Sequence, residues 1–145
     1  MAAFGTEAGT RAAHVLLVDD DSLGRIMTAT ELREAGHQVL EARNGEEGLA
    51  VLRQNAGIDM LVTDYAMPGM NGAALAKAAR GERPDIPVVI ITGFAAALPE
   101  ELQQVADAVL MKPYSVQDLD LRIRAAMVAR AVLRNATGQR PGAPG

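Results

Sequence analysis

Short runs of apolar residues recur along this chain, and longer stretches with apolar positions at helical spacing separate them. A short apolar run without polar alternation is typical of a strand that is buried on both faces, and apolar positions three and four residues apart are typical of an amphipathic helix. The predicted strands are residues 15–18, 38–42, 60–62, 88–91 and 106–111. The predicted helices are residues 22–35, 44–54, 71–80, a short one within 94–105, and 116–134.

This alternation of strand and helix predicts the class of fold. It indicates an α/β protein with a doubly wound, five-stranded parallel sheet, helices on both faces and right-handed crossovers. The length of 145 residues suits one domain, which we place at residues 13–135. Residues 1–12 are small and polar and residues 136–145 are rich in Gly and Pro, so both ends are predicted to be disordered.

Individual residues predict where two helices begin and which side of the first helix faces the core. Asn44 and Asn71 are predicted N-caps, because an Asn side chain accepts a hydrogen bond from a free amide of the first turn. The predicted inward-facing residues of the first helix are Leu23, Ile26, Met27 and Ala29.

Composition narrows the classes of function. Without cysteine, the chain has no disulfides, zinc–thiolate sites or thiol catalysis. The net charge of −4 gives no electrostatic case for binding nucleic acid. No apolar run approaches the roughly 18 residues of a membrane span, and the first residues lack a signal-peptide pattern, so we expect a soluble cytoplasmic protein.

Polar residues follow the predicted strands where each strand ends. Asp19 and Asp20 follow the first strand, Asp64 the third, Thr92 the fourth and Lys112 the fifth. The carboxyl ends of parallel strands share one edge of a sheet, where ligands bind. Crowded carboxylates repel one another, and Mg²⁺, which prefers oxygen ligands, removes that repulsion. The set therefore predicts a Mg²⁺-dependent phosphoryl-transfer site with Asp64 as nucleophile or metal ligand; Asp64 as a plain turn residue is the alternative.

Together these residues resemble a known family, the receiver domain of two-component response regulators. The resemblance covers about residues 14–134 and implies a flavodoxin-like strand order 2-1-3-4-5. Its motifs are Leu-Val-Asp-Asp at 17–20, Asp-Tyr-Ala-Met-Pro-Gly-Met-Asn-Gly at 64–72, Ile-Thr-Gly at 91–93 and Met-Lys-Pro at 111–113.

The resemblance implies a Mg²⁺ site. Asp20, Asp64 and the Ala66 carbonyl would bind the ion directly, and Asp19 would act through water. Asp21 competes with Asp19 for that role, and we prefer Asp19 because it directly follows the apolar run. A helix cap is the preferred role of Asp21.

The resemblance also implies roles in phosphoryl transfer. Asp64 would accept a phosphoryl group from a histidine kinase or a phosphotransfer protein, Lys112 would contact that group, and Thr92 would swing toward its oxygens. A cis bond is expected between Lys112 and Pro113. Many receivers carry an aromatic switch residue three positions before this Lys, where the present chain has Val109.

The implied activity is that of a signalling domain that assists its own phosphorylation, not of a classical enzyme. We expect a single-domain phosphoacceptor that signals by protein contact or relays phosphate, with a downstream protein target and no nucleic-acid or membrane partner; a second copy of the chain is a further candidate partner. One alternative is a phosphorylation-independent binding module with the same fold. A haloacid-type phosphatase is a weaker one, because no Asp-x-Asp-x-Thr motif follows a strand.

Overall fold

The computed structural model describes residues 12–93 and 99–136, which form ten elements in strict alternation. The strands are β1 (His14–Val18), β2 (Gln38–Ala42), β3 (Met60–Asp64), β4 (Val88–Thr92) and β5 (Ala108–Met111). The helices are α1 (Ser22–Glu34), α2 (Gly45–Gln54), α3 (Gly72–Glu82), α4 (Glu100–Val105) and α5 (Val116–Ala136). Within these two ranges no helix is long and apolar enough to cross a membrane.

All five strands pair in parallel, in the order β2-β1-β3-β4-β5. The predicted doubly wound, flavodoxin-like fold is therefore confirmed. The order reverses direction between β1 and β3, and such a switch point opens a crevice at the carboxyl ends of the strands. The predicted disordered ends lie almost wholly outside the described residues, and α5 continues to Ala136, one residue past the predicted end of the domain.

The core consists of two apolar layers, one on each face of the sheet. Side chains alternate between the faces along a strand, so Leu16 and Val18 of β1 point to one layer while Val15 and Leu17 point to the other. Helices α2, α3 and α4 cover the first layer, and α1 and α5 cover the second. Both faces of the sheet are buried, which explains why the central strands are continuous apolar runs.

The predicted inward face of α1 is mostly wrong. Leu23, Ile26 and Met27 are 69%, 51% and 57% exposed, and only Ala29 is buried as expected. The buried residues of this helix are Arg25, Ala29 and Leu32, spaced four and three apart as one helical face requires. Arg25 occupies an inward position because its guanidinium finds hydrogen-bond partners at the edge of the sheet.

Hydrogen bonds between residues close in sequence set the caps and boundaries of other elements. The side chains of Asn44 and Asn71 accept hydrogen bonds of 2.8 Å from the amides of Glu47 and Ala74, which confirms both predicted N-caps. Helix α3 continues past its predicted end at residue 80 and ends at Glu82. Strand β5 begins at Ala108, two residues later than predicted, because the amide of Ala106 still bonds to the end of α4.

Candidate functional site

The fold brings the predicted site residues to one edge of the sheet. Asp19 and Asp20 directly follow β1, Asp64 ends β3, Thr92 ends β4 and Lys112 directly follows β5. Strands β1 and β3 are neighbours, and so are β3 and β4. The carboxyl edge at the switch point therefore carries all five side chains.

Three carboxylates form the centre of this site. Oxygen atoms of Asp19, Asp20 and Asp64 all lie within 4.8 Å of one another. Asp64 is buried, Asp19 is half-buried and Asp20 is exposed, so the group opens to solvent on the Asp20 side. The Nζ atom of Lys112 lies 2.8 Å from Oδ1 of Asp64 in an ion pair, and one ammonium thus faces three acidic side chains.

Burial and crowding shift the titration of these groups. Burial raises the pKa of Asp64 above its ordinary range, and the nearby Asp20 adds to the rise, although contact with Lys112 opposes it. Burial also raises the pKa of Asp19, against a hydrogen bond from the amide of Asp21. Burial by itself would lower the pKa of Lys112, but the hydrogen bond and charge of Asp64 raise it instead, so the ammonium stays charged.

The donor set fits a hard divalent cation. Mg²⁺ binds a few carboxylate oxygens together with water, and the three carboxylates supply such oxygens at close spacing next to solvent. A bound cation would lower the cost of keeping these groups ionised. Ala66 lies two residues after Asp64 and is exposed, and its carbonyl stays a predicted ligand.

The loop after β3 holds Asp64 in place through backbone contacts. The amide of Tyr65 donates to the carbonyl of Ile91, and the amide of Gly72 donates to the carbonyl of Tyr65, both at 2.8 Å. A side chain at position 72 would overlap the backbone carbonyl of Asp64, so only glycine fits there. Gly69 has a φ of 76°, a left-handed conformation that favours glycine.

Arg25 supports the site, a role that the sequence pattern did not predict. Its Nη1 donates to the carbonyl of Asp19 at 2.9 Å, and its Nε donates to Oε1 of Glu41 at 3.1 Å. The guanidinium thus ties the end of β1 to β2 and α1. The sequence does show a lone Arg among apolar residues near the start of a helix. Its role could not be predicted because its partners lie in other elements.

Asp21 has a positional role at the start of α1. It is the N-cap residue, as preferred from the sequence, but its side chain makes no capping hydrogen bond. Its backbone amide instead donates to Oδ1 of Asp19 at 3.0 Å, which helps to orient that carboxylate.

Two tyrosines connect the site to different helices. The hydroxyl of Tyr65, the residue after Asp64, donates to Oε1 of Glu101 on α4 at 2.5 Å. The hydroxyl of Tyr114 lies 3.1 Å from Oγ1 of Thr28 on α1, and its ring packs against the α1–α5 layer. Tyr114 therefore combines core packing with a polar contact to α1.

The ends of β4 and β5 are joined next to the site. The amide of Lys112 donates to the carbonyl of Thr92 at 2.9 Å, and the bond from Lys112 to Pro113 is cis, as predicted. Thr92 is buried and lies one position beyond Ile91, the register partner of Asp64. It therefore lies at the same edge as the carboxylates.

The two histidines lie at the opposite edge of the sheet, where β1 and β2 begin. His37 is buried; its Nδ1 accepts from the amide of Ala13 at 2.9 Å and its Nε2 lies 2.5 Å from Oδ1 of Asp120. The amide of His14 donates to Asp59 at 2.7 Å.

Comparison with known proteins identifies the family. The model of the response regulator receiver domain matches residues 15–124, so the chain belongs to this family. It is 36% identical over 117 residues to the response regulator receiver protein CpdR of Brucella abortus, a match that covers 79% of this chain and 97% of that protein. It is 34% identical over 128 residues to the probable transcriptional regulator ycf27 of Cyanidium caldarium, covering 87% of this chain but only 50% of the relative.

Solved structures agree with the assignment. A response regulator receiver domain protein from Clostridium thermocellum has a TM-score of 0.76 at 29% identity, over 83% of this chain and 98% of that one. The response regulator protein TrrA from Thermotoga maritima, solved in complex with Mg²⁺ and BeF, has a TM-score of 0.72 at 25% identity, over 79% and 98% of the two chains.

Proposed function

We propose that this chain is a single-domain response regulator in which Asp64 accepts a phosphoryl group from a histidine kinase or a histidine phosphotransfer protein. The observation that carries the proposal is the buried Asp64 carboxylate, 2.8 Å from the Lys112 ammonium and beside Asp19 and Asp20. A nucleophile, a cation for the transferred group and a pair of further acidic ligands are the parts that phosphoryl transfer needs.

Each bond made and broken in the transfer can be assigned to a group in the site or in the donor. An oxygen of Asp64 attacks phosphorus, a new P–O bond forms, and the P–N bond of the donor phosphohistidine breaks. The electron pair of that bond returns to the imidazole nitrogen, which then takes a proton from solvent. Lys112 orients the phosphoryl oxygens and neutralises part of the charge that they bring into the site.

Asp20, Asp64 and the Ala66 carbonyl would hold Mg²⁺, with Asp19 acting through water. The bound ion would supply positive charge against the carboxylates and the phosphoryl oxygens. The crowded carboxylates with raised pKa values support this role. The complex that TrrA forms with Mg²⁺ and BeF supports it by similarity.

Two observations support a protein partner and a single-domain role. The match with CpdR covers nearly all of that receiver protein. Leu23, Ile26 and Met27 form an exposed apolar surface on α1, close in sequence to Asp20, and contiguous exposed apolar side chains are typical of protein contacts. A phosphodonor protein that docks there would approach the carboxylates from their solvent-facing side.

The phosphorylated chain would then signal to other proteins through α4, the helix that comes after Thr92 in the chain. A phosphoryl group adds negative charge and acceptor oxygens beside Lys112 and Thr92 and draws both toward Asp64. The contact from Tyr65 to Glu101 gives α4 a direct link to the residue after the phosphoacceptor. Signalling by protein contact and onward relay of the phosphate both remain open as outputs.

Phosphorylation by a small donor tests the proposal. Incubation with acetyl phosphate and Mg²⁺ should add one phosphate, seen by intact mass and removed by base, because an acyl phosphate is labile. Asp64→Ala should abolish the label, and Asp85→Ala, which removes an exposed carboxylate elsewhere, should not. Equal labelling of Asp64→Ala and wild type would overturn the assignment, and no labelling of wild type would favour the phosphorylation-independent binding module.

A further inference from the structure

The three carboxylates of the site are not held equally well. The carboxylate of Asp19 accepts a hydrogen bond from the amide of Asp21 at 3.0 Å, and that of Asp64 pairs with Lys112 at 2.8 Å. Asp20 is exposed, and within the described part of the chain its side chain makes no hydrogen bond or ion pair. The direction of the Asp20 carboxylate in the free protein therefore depends on its backbone.

Arg25 fixes the peptide group that leads into Asp20. Its Nη1 donates to the carbonyl of Asp19 at 2.9 Å, and the amide of Asp19 donates to the carbonyl of Ala42 on β2 at 3.1 Å. A peptide group is planar, so fixing the direction of a carbonyl also fixes the amide of the next residue. The peptide between Asp19 and Asp20 thus has one orientation, and only the rotations within Asp20 itself remain.

Glu41 on β2 holds the guanidinium of Arg25 in this position. The Nε of Arg25 donates to Oε1 of Glu41 at 3.1 Å, and Nη2 of Arg33 lies 3.4 Å from Oε2 of the same carboxylate. The side chains of Arg25 and Glu41 are only 10% and 25% exposed, so solvent screens this pair less than an ion pair on the surface. A guanidinium presents its donors in a fixed plane, and it can therefore bind the carboxylate and the Asp19 carbonyl together.

We propose that Arg25 is a positioning residue for Mg²⁺ binding, because it fixes the peptide before Asp20 and so directs the Asp20 carboxylate toward Asp19 and Asp64. Partners behind the ligands raise metal affinity, since a ligand that is already oriented loses less freedom when the ion binds. The inference rests on the proposed function, in which Asp20 binds Mg²⁺ directly. It adds a residue outside the ligand set that determines the affinity of the site.

Charge and position lead to opposite expectations for Arg25. The guanidinium is a cation in contact with the backbone of Asp19, so by charge alone its removal would strengthen the binding of another cation. By position its removal weakens binding, because the Asp20 carboxylate then samples directions that do not meet the ion. Arg25→Lys separates the two effects: it keeps the charge, but a single ammonium lacks the planar set of donors.

Calorimetric titration with Mg²⁺ alone, without a phosphodonor, tests the role of Arg25. Arg25→Lys and Arg25→Met should each bind Mg²⁺ about tenfold more weakly than wild type, the lower end of the usual loss for a partner behind a metal ligand. Arg80→Lys is the matched control and should bind normally, because Arg80 is also a partly buried arginine in an ion pair but lies with Asp107 at the opposite edge of the sheet. Urea unfolding checks that each variant is folded, and Arg25→Lys keeps a cation for Glu41 if Arg25→Met does not fold.

A double variant shows whether Arg25 acts through Asp20. Adding Arg25→Lys to Asp20→Asn should cause no further loss of affinity, whereas two independent effects would multiply. Normal affinity in Arg25→Lys, stronger binding in Arg25→Met, or multiplied losses in the double variant would overturn the inference and leave the phosphoacceptor role of Asp64 intact. The expected affinities in a wild type that takes no label from acetyl phosphate would support the role of Arg25 and overturn the proposed function. A wild type that binds no Mg²⁺ would overturn both.

Discussion

Two buried carboxylates at opposite ends of the sheet have opposite charge surroundings. The side chains of Asp64 and Asp107 are almost equally buried, at 8% and 9% exposed. Asp107, next to the amino end of β5, receives two guanidinium groups: Arg80 at 2.7 Å and Arg130 at 3.0 Å. It also accepts from the amide of Val88 at 2.8 Å.

Around Asp64, negative groups outnumber positive ones. It shares a single ammonium, that of Lys112, with Asp19 and Asp20. Asp107 is saturated with donors and joins α3, β4 and α5, which is the pattern of a structural ion pair. The site around Asp64 has an excess of negative charge that a cation can relieve, so equal burial serves stability at one end and ligand binding at the other.

Neutralising each carboxylate in turn tests whether Asp107 stabilises the fold and Asp64 serves the site. Asp107→Asn should lower the free energy of unfolding by about 2 kcal/mol, because it leaves two partly buried arginines without their common partner. Urea unfolding measures this loss. The folded fraction of Asp107→Asn should still be phosphorylated by acetyl phosphate. Asp64→Asn should show the reverse result, with no label and no loss of stability. A stable Asp107→Asn would mean that this network is not structural.

A second test removes negative charge from the site without touching Asp64. Asp20→Asn should weaken Mg²⁺ binding at least tenfold and suppress labelling, because it removes both a charge and a ligand oxygen. Titration calorimetry gives the affinity. Asp118→Asn, an exposed carboxylate on α5, serves as the control. Unchanged Mg²⁺ affinity in Asp20→Asn would exclude the proposed role.

The stability of the fold should depend on pH through Asp64 and Asp19. Burial raises the pKa of both Asp64 and Asp19 above the ordinary 3.8, so the folded chain holds these protons to higher pH than the unfolded chain does. Without Mg²⁺, protonation should therefore stabilise the fold as pH falls through the window just above 3.8, and ionisation should cost stability as pH rises through it.

Urea unfolding of wild type and Asp64→Asn across that window provides the measurement. The variant should gain stability relative to wild type as pH rises, and Mg²⁺ affinity of wild type should fall as pH drops, because protonated carboxylates are poor ligands. A difference between the two chains that does not vary with pH would contradict the raised pKa of Asp64.

The smallest expected effect concerns the link to α4. Tyr65→Phe removes the hydrogen bond to Glu101, worth about 1 kcal/mol, and should speed hydrogen exchange in α4 while labelling persists. Tyr114→Phe, which removes the contact with Thr28 on α1 instead, is the matched control and should leave α4 unchanged. Equal exchange in both variants would mean that Tyr65 does not anchor this helix.

The phosphoryl mimic beryllofluoride tests whether a change at Asp64 reaches the segment before β5. We expect it to change exchange in residues 93–105, of which 94–98 lie outside the described residues, because Thr92 moves toward Asp64. Thr92→Ala should abolish that distant change but still allow phosphorylation of Asp64. If hydrogen-exchange protection changes only in residues 64–72, phosphorylation does not act on residues 93–105 through Thr92.

Much of the fold follows from local pattern in the sequence. The apolar runs locate all five strands because a strand between two helical layers must be apolar on both faces. Asn44 and Asn71 mark helix starts because capping depends on residues within one turn. Asp19, Asp20, Asp64 and Lys112 meet because the carboxyl ends of parallel strands share an edge, so topology and sequence position together place them.

Contacts between distant elements were decided only by the tertiary structure. Leu23, Ile26 and Met27 have the composition of an inward face, yet Arg25 takes that position because Glu41 and the Asp19 carbonyl neutralise and bind it. The raised pKa of Asp64 likewise arises from burial and from neighbours on other strands. Local patterns specify which elements form, because their energetics depend on nearby residues; which polar groups can be buried depends on partners that only folding brings within hydrogen-bond distance.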